Sequence, residues 1–304
     1  MVVLQRPLTR NRVELIDALQ AEGIAVVVEI DDDFHAIHPQ NPAWRGTNPL
    51  RDPDRNRDWL KKACARADLV TVSTPALASR YGSHGRCVIL PNYVPRAYTE
   101  LEPAAPTRRW NDAHSFEDSP GLTTYPVGWS GSTITHPTDL EVLGDSIQRL
   151  GHGFHVVGTG VGVQDRLGVE PTFTGWVELE NYASALQSIE IGLVPLALLP
   201  FNEAKSWLKG LEYAAVGVPF VASPTSPYQQ LAERGIGWLA ETPDQWVELV
   251  GELLADETHR TALARAWRQE IRDNYTIEDH ASHWWDAWGL ALENAARRER
   301  VTVS

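Results

Sequence analysis

Lys205, Ser206, Lys209 and Glu212 fall in one stretch, Phe201 to Ser223, which reads FNEAKSWLKGLEYAAVGVPFVAS. Their types are those a phosphorylated ligand needs. A lysine beside the free backbone N–H groups of a helix N-terminus suits a phosphate. A carboxylate two turns further on suits the hydroxyls of a ribose. Together they describe a site for a nucleoside diphosphate.

The elements that must position these groups are legible around them. Leu208, Leu211, Ala214 and Ala215 recur at helical spacing. Gly217 and Pro219 end that helix, and Phe220, Val221 and Ala222 have the run of a strand buried on both faces. The segment is therefore expected to be loop, helix, tight turn and buried strand.

This stretch resembles the donor-binding segment of the GT-B-fold retaining glycosyltransferases with a Glu-x7-Glu motif. There the second Glu opens a Glu-Ala-Met-Ala-like run before Gly-x-Pro and a strand, and Glu212 to Pro219, EYAAVGVP, matches that run. The first Glu of the motif falls at Ala204, with Glu203 one residue off register, and Lys205-Ser206 takes a place that is Phe-Gly-like in the family. The resemblance implies an α/β chain of two Rossmann-like domains facing across a cleft. Glu212 would then hold the ribose of a nucleotide sugar, with Lys205, Ser206, Trp207 and Leu208 beside the donor. Glu203 would contact the donor sugar from its shifted register.

Length and composition bound the alternatives. A chain of 304 residues holds one large domain or two ordinary ones, and 43% hydrophobic content supplies their cores. A net charge of -13 argues against nonspecific binding to nucleic acid or anionic membrane. No apolar run is long enough for a transmembrane helix, and MVVLQRPLTR lacks the form of a signal peptide. Two cysteines, Cys64 and Cys87, lack metal-ligand spacing and read as reduced residues of a cytoplasmic protein. Lysine occurs only at 61, 62, 205 and 209, which makes the pair at 205 and 209 notable.

Strand and helix patterns alternate. Val2–Leu4, Ile24–Ile30, Leu69–Val72 and Cys87–Leu90 read as strands, with helices at 13–19, 58–67 and 75–81, a βαβ series that calls for a parallel sheet. Residues 94–123, with Pro95, Pro103, Pro106 and Pro120, read as a linker. The alternation then restarts with strands at 125–130, 154–157, 172–174, 189–196 and 220–222 and helices at 137–150, 179–187, 226–233 and 243–254, followed by helix to about 298. The expected division is a first domain over 1–120, linker included, and a second over 121–304 that binds the donor. The final helix is expected to pack back on the first domain. No Gly-rich strand–loop–helix unit of the family's kind precedes Val2, so the first domain is expected either to be reduced beside its family or to lack its start here.

Three further clusters could carry chemistry. Gly128-Trp129-Ser130-Gly131-Ser132 lies between strand and helix, where a Gly permits close backbone approach. In the resembled family a Gly-Arg loop there approaches the diphosphate. Gly131 fits it, while Ser132 and His136 stand near the places of the Arg and a following Lys. The bland reading is an ordinary strand–helix turn with a Ser cap. Asp31, Asp32 and Asp33 end the best strand of the first domain. They could bind a metal as Asp-x-Asp motifs do, cap a helix as solvated charge, or contact an acceptor and orient His35 and His38. Gly158-Thr159-Gly160 is a weak nucleotide-loop signal, and Ser73 and Asn92 are turn formers at strand ends. Trp284, Trp285 and Trp288 are expected to pack the final helix rather than to form a ligand platform.

The expected activity is transfer of a sugar from a nucleoside-diphosphate-sugar, a substrate and not a cofactor, to a glycan, lipid, protein or small-molecule acceptor. Lys205, Glu203, Asp32, Asp33 and His35 are the candidate catalytic groups. Gly131, Ser132, His136, Lys205, Ser206, Trp207, Leu208 and Glu212 are the donor-binding set. By resemblance the anomeric configuration is retained and no metal is used. The alternatives are a nucleotide-sugar-binding protein without transferase activity and a GT-B nucleotide-sugar epimerase.

Overall fold

The computed structural model of the chain describes residues 1–47, 56–102, 108–109 and 123–303. Contacts divide it into two compact units: Met1–Asn92 with Leu199–Ser206 and Asp279–Ser304, and Tyr93–Leu198 with Trp207–Glu278.

The first unit is built on a four-stranded parallel sheet in the order Val2–Gln5, Val26–Ile30, Leu69–Val72, Cys87–Ile89. Side chains alternate across a strand, so neighbouring residues serve opposite faces. Val26, Val28 and Ile30 pack with Val13 and Ile16 of the helix Arg10–Ala21, Leu60 and Ala63 of Asn56–Arg66, and Leu77 of Pro75–Tyr81. Val27 and Leu69 turn the other way and meet Ala287 and Ala291 of the helix Ile277–Val303. Trp284 and Trp288 pack beside them, whereas Trp285, one helical step round, is 67% exposed and lies edge-on to Trp288. Asp68 ties the layers: it accepts from the Val26 amide, pairs with Arg298, and offers its carbonyl to Asn294.

The second unit has a seven-stranded sheet, all of whose pairs are parallel. Its order is Trp238–Leu239, Phe220–Ala222, Ile189–Val194, Thr123–Ser132, Phe154–Thr159, Thr172–Gly175, with Arg108–Arg109 paired to the start of Thr123–Ser132. One face packs Val127, Trp129, Ile191 and Val221 against Leu143, Ile147, Trp246 and Val250. The other packs Val194, Phe220 and Ala222 against Leu211, Ala214, Tyr228 and Trp267. Apolar layers on both faces of parallel strands make it a Rossmann-like unit.

Two expectations are corrected. The division falls at Asn92 and Tyr93, not at 120, because Val94 forms a parallel bridge with Thr276, and Thr99 and Leu101 offer their carbonyls to Arg268. Within the expected linker, Arg96–Glu100 is a 3-10 helix, while Pro103, Pro106 and Pro120 lie outside the described residues. The helix expected over 137–150 is broken into a 3-10 turn, Asp139–Leu143, and Ser146–Leu150. Gly144 sits between them at φ 52°, where a Cβ would come 2.9 Å from Pro243. Among the described residues no helix is long and apolar enough to cross a membrane.

Candidate functional site

In the second unit the strand order reverses at Thr123–Ser132, which is flanked by Ile189–Val194 on one side and Phe154–Thr159 on the other. In open parallel sheets ligands bind beyond the carboxyl ends at such a switch point. A cavity of about 470 Å³ lies there, within the usual range for small-molecule sites. Its lining includes Gly131, Gly158, Trp176, Leu179, Tyr182 and Glu212.

The backbone comes to the cavity bare. Gly131 and Gly158 are register partners at the ends of adjacent strands. A Cβ on Gly158, at φ 125°, would stand 2.2 Å from the Gly131 carbonyl oxygen, so only glycine permits this approach. Trp176 and Leu179, 81% and 75% exposed, supply an apolar wall.

Glu212 projects from the helix Leu208–Ala215. Burial pushes its carboxyl above the ordinary range, while Lys209 and the Tyr182 hydroxyl pull it back down. Tyr182 Oη lies 3.1 Å from Glu212 Oε2 and 3.2 Å from Ser130 Oγ. Lys209 Nζ donates to the Ser130 carbonyl and, at 3.3 Å, to Ser130 Oγ. The Ser130 amide donates to Tyr213 Oη at 2.7 Å. Ser130, buried at the end of its strand, is thus the hub on which a lysine, two tyrosines and, through Tyr182, a carboxylate are hung.

Of the expected donor set, Gly131 and Glu212 line this cavity. Ser132 closes the following turn: its carbonyl accepts from the His136 amide and its Oγ from the Ile134 amide. His136 Nδ1 sits 2.7 Å from Asp139, whose other oxygen accepts from the Ala197 amide. Trp207 packs edge-on against Tyr275, and both Trp207 and Leu208 lie against the apolar core.

Lys205 and Ser206 belong instead to the first unit, as does Glu203. Phe201 and Ala204 are buried in that unit's core, and the Ala204 carbonyl accepts from Thr74 Oγ1. Ser206 Oγ accepts from Asn92 at 2.8 Å. Lys205 Nζ lies 3.2 Å from Asp32 Oδ1 and 4.4 Å from the centre of the Phe201 ring. The helix start at Leu208 therefore follows these two residues rather than including them.

The three carboxylates at the end of Val26–Ile30 do not converge on a point. Asp31 pairs with Arg6, Asp32 with Lys205, and Asp33 with Arg80 at 2.8 Å. Each thereby has its own cation, which offsets the repulsion among adjacent carboxylates. Asp33 is 3% exposed and also accepts from the His35 amide and the Tyr81 hydroxyl. His35 Nδ1 lies 2.9 Å from Tyr81 Oη. Burial, with Lys61, Arg80 and Arg57 nearby, lowers the imidazole to about 4, so it is neutral at pH 7. Among the described residues no three His, Cys, Asp or Glu side chains gather as a metal site.

Nothing in the sequence groups Tyr182, Ser130, Gly158, Trp176 and Leu179 as one site. A Gly-x-Gly after a strand is the sequence signal for Gly158. Nothing local announces Tyr182, which meets Glu212 across 30 residues of chain.

Comparisons with known proteins bear on the fold. Residues 141–286 match the family model described as "Glycosyl transferase-like". Among curated proteins no sequence matches this one. Anabaena HepE in complex with UDP and glucose shares the fold at a TM-score of 0.65 and 14% identity, over 92% of this chain and 76% of that one. Sucrose-phosphate synthase from Thermosynechococcus elongatus does so at 0.60 and 16% identity, over 99% and 74%. TarM, at 0.56 and 12% identity, is covered over 50% of its length by 87% of this chain, so the chain spans about half of that protein. The class defined is an α/β chain of Rossmann-like units with parallel sheets, the GT-B plan, carrying a glycosyl transferase-like segment that lies mostly in its second unit. The resemblance read from Glu212 to Pro219 lies inside that segment.

Proposed function

We propose that this chain is a glycosyltransferase that takes its sugar from a nucleoside-diphosphate-sugar bound at the cavity of the second unit. The observation that carries the reading is that Glu212 lines the same cavity as the bare backbone of Gly131 and Gly158.

Each part of such a donor has a chemical counterpart there. The ribose hydroxyls would donate to Glu212. The diphosphate would lie along Gly131 and Gly158, with the positive charge of Lys209 at the same strand end. The base would stack on the wall of Trp176 and Leu179. Stabilising charge on a departing diphosphate lowers the barrier to transfer by several kcal/mol, roughly, when the groups are held in place beforehand. HepE was crystallised with UDP and glucose, and a structural relative from Burkholderia xenovorans is a UDP-forming trehalose-phosphate synthase, which makes UDP-sugars the first donors to try. Following the family resemblance, the reaction would retain configuration without a metal, the leaving phosphate taking the acceptor's proton.

One observation favours a second reading, a nucleotide-sugar-binding protein without transfer. Ala204, at the place of the motif's first Glu, is buried in the first unit's core and held there by Thr74.

The test is a thermal-shift series with UDP-, GDP-, ADP- and TDP-sugars, with and without EDTA, on wild type and Glu212→Ala, followed by acceptor-dependent release of nucleotide. Ligand that binds only the native state raises its stability. A shift for one nucleotide, lost in Glu212→Ala, supports the site, and acceptor-dependent release supports the enzyme. Binding without release under any acceptor supports the second reading. No shift with folded protein overturns both.

A further inference from the structure

The contacts around Ser130 form a directed chain. A phenol has one proton to give. Ionised Glu212 can only accept, so Tyr182 donates to it at 3.1 Å, and the Tyr182 oxygen, 3.2 Å from Ser130 Oγ, accepts from the Ser130 hydroxyl. Ser130 Oγ in turn accepts from Lys209 Nζ at 3.3 Å. The order is therefore ammonium, hydroxyl, phenol, carboxylate, and each hydrogen bond polarises the next. Among the described residues Glu212 Oε2 is the oxygen so engaged, and Oε1 carries no protein hydrogen bond.

We infer that Tyr182 is a positioning residue of the nucleotide site, holding Glu212 by Oε2 so that Oε1 is turned to the vicinal hydroxyls of the ligand's ribose. The inference rests on the reading of the cavity as a nucleotide site. Glu212 is one turn of helix from Lys209, whose ammonium is hydrogen-bonded to Ser130 and acts on the carboxylate through its charge, whereas Tyr182 holds a carboxylate oxygen by a hydrogen bond. A carboxylate on a freely rotating stem would have to be ordered by the ligand itself, at the expense of affinity. The phenol does that ordering in advance.

The same contact sets when the carboxylate is charged. Glu212 is faced by Lys209 on its own helix, by Tyr182, by Tyr98 from the 3-10 helix, and by the buried Tyr213 and Tyr228. Burial favours the protonated carboxyl, whereas Lys209 and the Tyr182 hydroxyl favour the carboxylate. Without the phenol proton the carboxylate is lost at a higher pH.

The experiment is calorimetric titration of wild type, Tyr182→Phe, Ser130→Ala, Glu212→Gln and Tyr182→Phe/Glu212→Gln. The probes are UDP, GDP and their 2′-deoxy forms, from about pH 5.5 to about pH 8.5. Circular dichroism and melting curves confirm that each variant is folded. Tyr182→Phe should weaken the bound nucleotide by about tenfold. It should also narrow the preference for ribose over deoxyribose and move the acid limb of binding to higher pH. Ser130→Ala, which leaves the phenol but cuts it from Lys209, should move the limb the same way by less. The double variant should bind no more weakly than Glu212→Gln alone. Wild-type affinity, sugar preference and acid limb in folded Tyr182→Phe, with binding weakened in Glu212→Gln, would overturn the inference and leave the site standing. Absence of binding by wild type to all four probes would overturn the site and the inference together.

Discussion

Lys205 Nζ and Asp32 Oδ1 are 3.2 Å apart in space and 173 residues apart in sequence. The pair lies within the first unit, although Glu212 is only seven residues further along the chain. Their side chains are 20% and 30% exposed, so solvent screens the attraction. A double-mutant cycle on Lys205→Ala and Asp32→Ala, read by urea denaturation, should give a coupling of about 1 kcal/mol or less. A coupling of several kcal/mol would mean that the pair is closed to water.

Asp33 and Arg80 should behave differently. Asp33 is 3% exposed, so removing its cation strands a buried charge. Arg80→Ala should destabilise the protein by about 3 kcal/mol, since breaking a buried pair leaves one partner uncompensated. Arg80→Ala and Asp33→Asn together should recover part of that loss. A loss no larger than that of Lys205→Ala would show that water reaches Asp33.

Trp176 is 81% exposed and lines the cavity. Trp176→Ala should leave the melting temperature unchanged, because little of the ring is buried. It should weaken nucleotide binding by about 1–3 kcal/mol, the usual worth of one base–aromatic stack. Unchanged affinity by calorimetry would remove Trp176 from the site.

Gly158→Ala tests the close approach of the two strands. The new methyl would meet the Gly131 carbonyl at 2.2 Å on a backbone at φ 125°. Both the clash and the conformation disfavour it. Nucleotide binding should fall by more than tenfold, or about 1.4 kcal/mol, with a lowered melting temperature. Retained binding and melting would show that the strand end can shift without consequence.

His155 gives a pH dependence unconnected with the ligand. Its ring nitrogens lie 2.8 and 2.7 Å from Thr172 and Thr174 hydroxyls, and the ring stacks on Tyr125. Burial lowers its value to about 4 from the ordinary 6.5. The unfolded chain therefore takes up a proton before the native one does. The stability this group confers is whole above about pH 6.5 and declines as pH falls toward 4, by about 3 kcal/mol in all. His35, also held near 4, adds to the same window. His155→Gln should flatten, without abolishing, the fall of urea midpoints across it. A slope unchanged from wild type would place His155 in water.

Much of the fold is written locally. Leu69–Val72, Pro75–Tyr81, Phe220–Ala222 and Ser226–Glu233 are bounded in the structure where their apolar runs and Pro or Gly punctuation place them. Glu212 is legible for the same reason, since its helix and the turn after it are set by adjacent residues. What spans the chain is not. Lys205 looks like a neighbour of Glu212, yet Phe201 and Ala204 bury in the first unit and take Lys205 with them. Asp31 to Asp33 look like a metal or acceptor cluster because their cations, Arg6, Lys205 and Arg80, come from three separate places in the sequence. Tyr182 carries no signal because its meaning lies in the hydroxyl of Ser130 and the carboxylate of Glu212, each on another element.

The first unit draws on three separated segments, which bears on the order of events at the ribosome. When Asn92 leaves the exit tunnel, the sheet of that unit is fully synthesised, but Phe201, Ala204, Ala287 and Ala291 are not. One face of the nascent sheet must wait, uncovered, while most of the second unit is translated. Domains commonly fold as units in the order they are made, and exposed apolar faces in the interval invite aggregation. Here the domain begun first is finished after the other, and its solubility during synthesis becomes a matter for chaperones and translation speed.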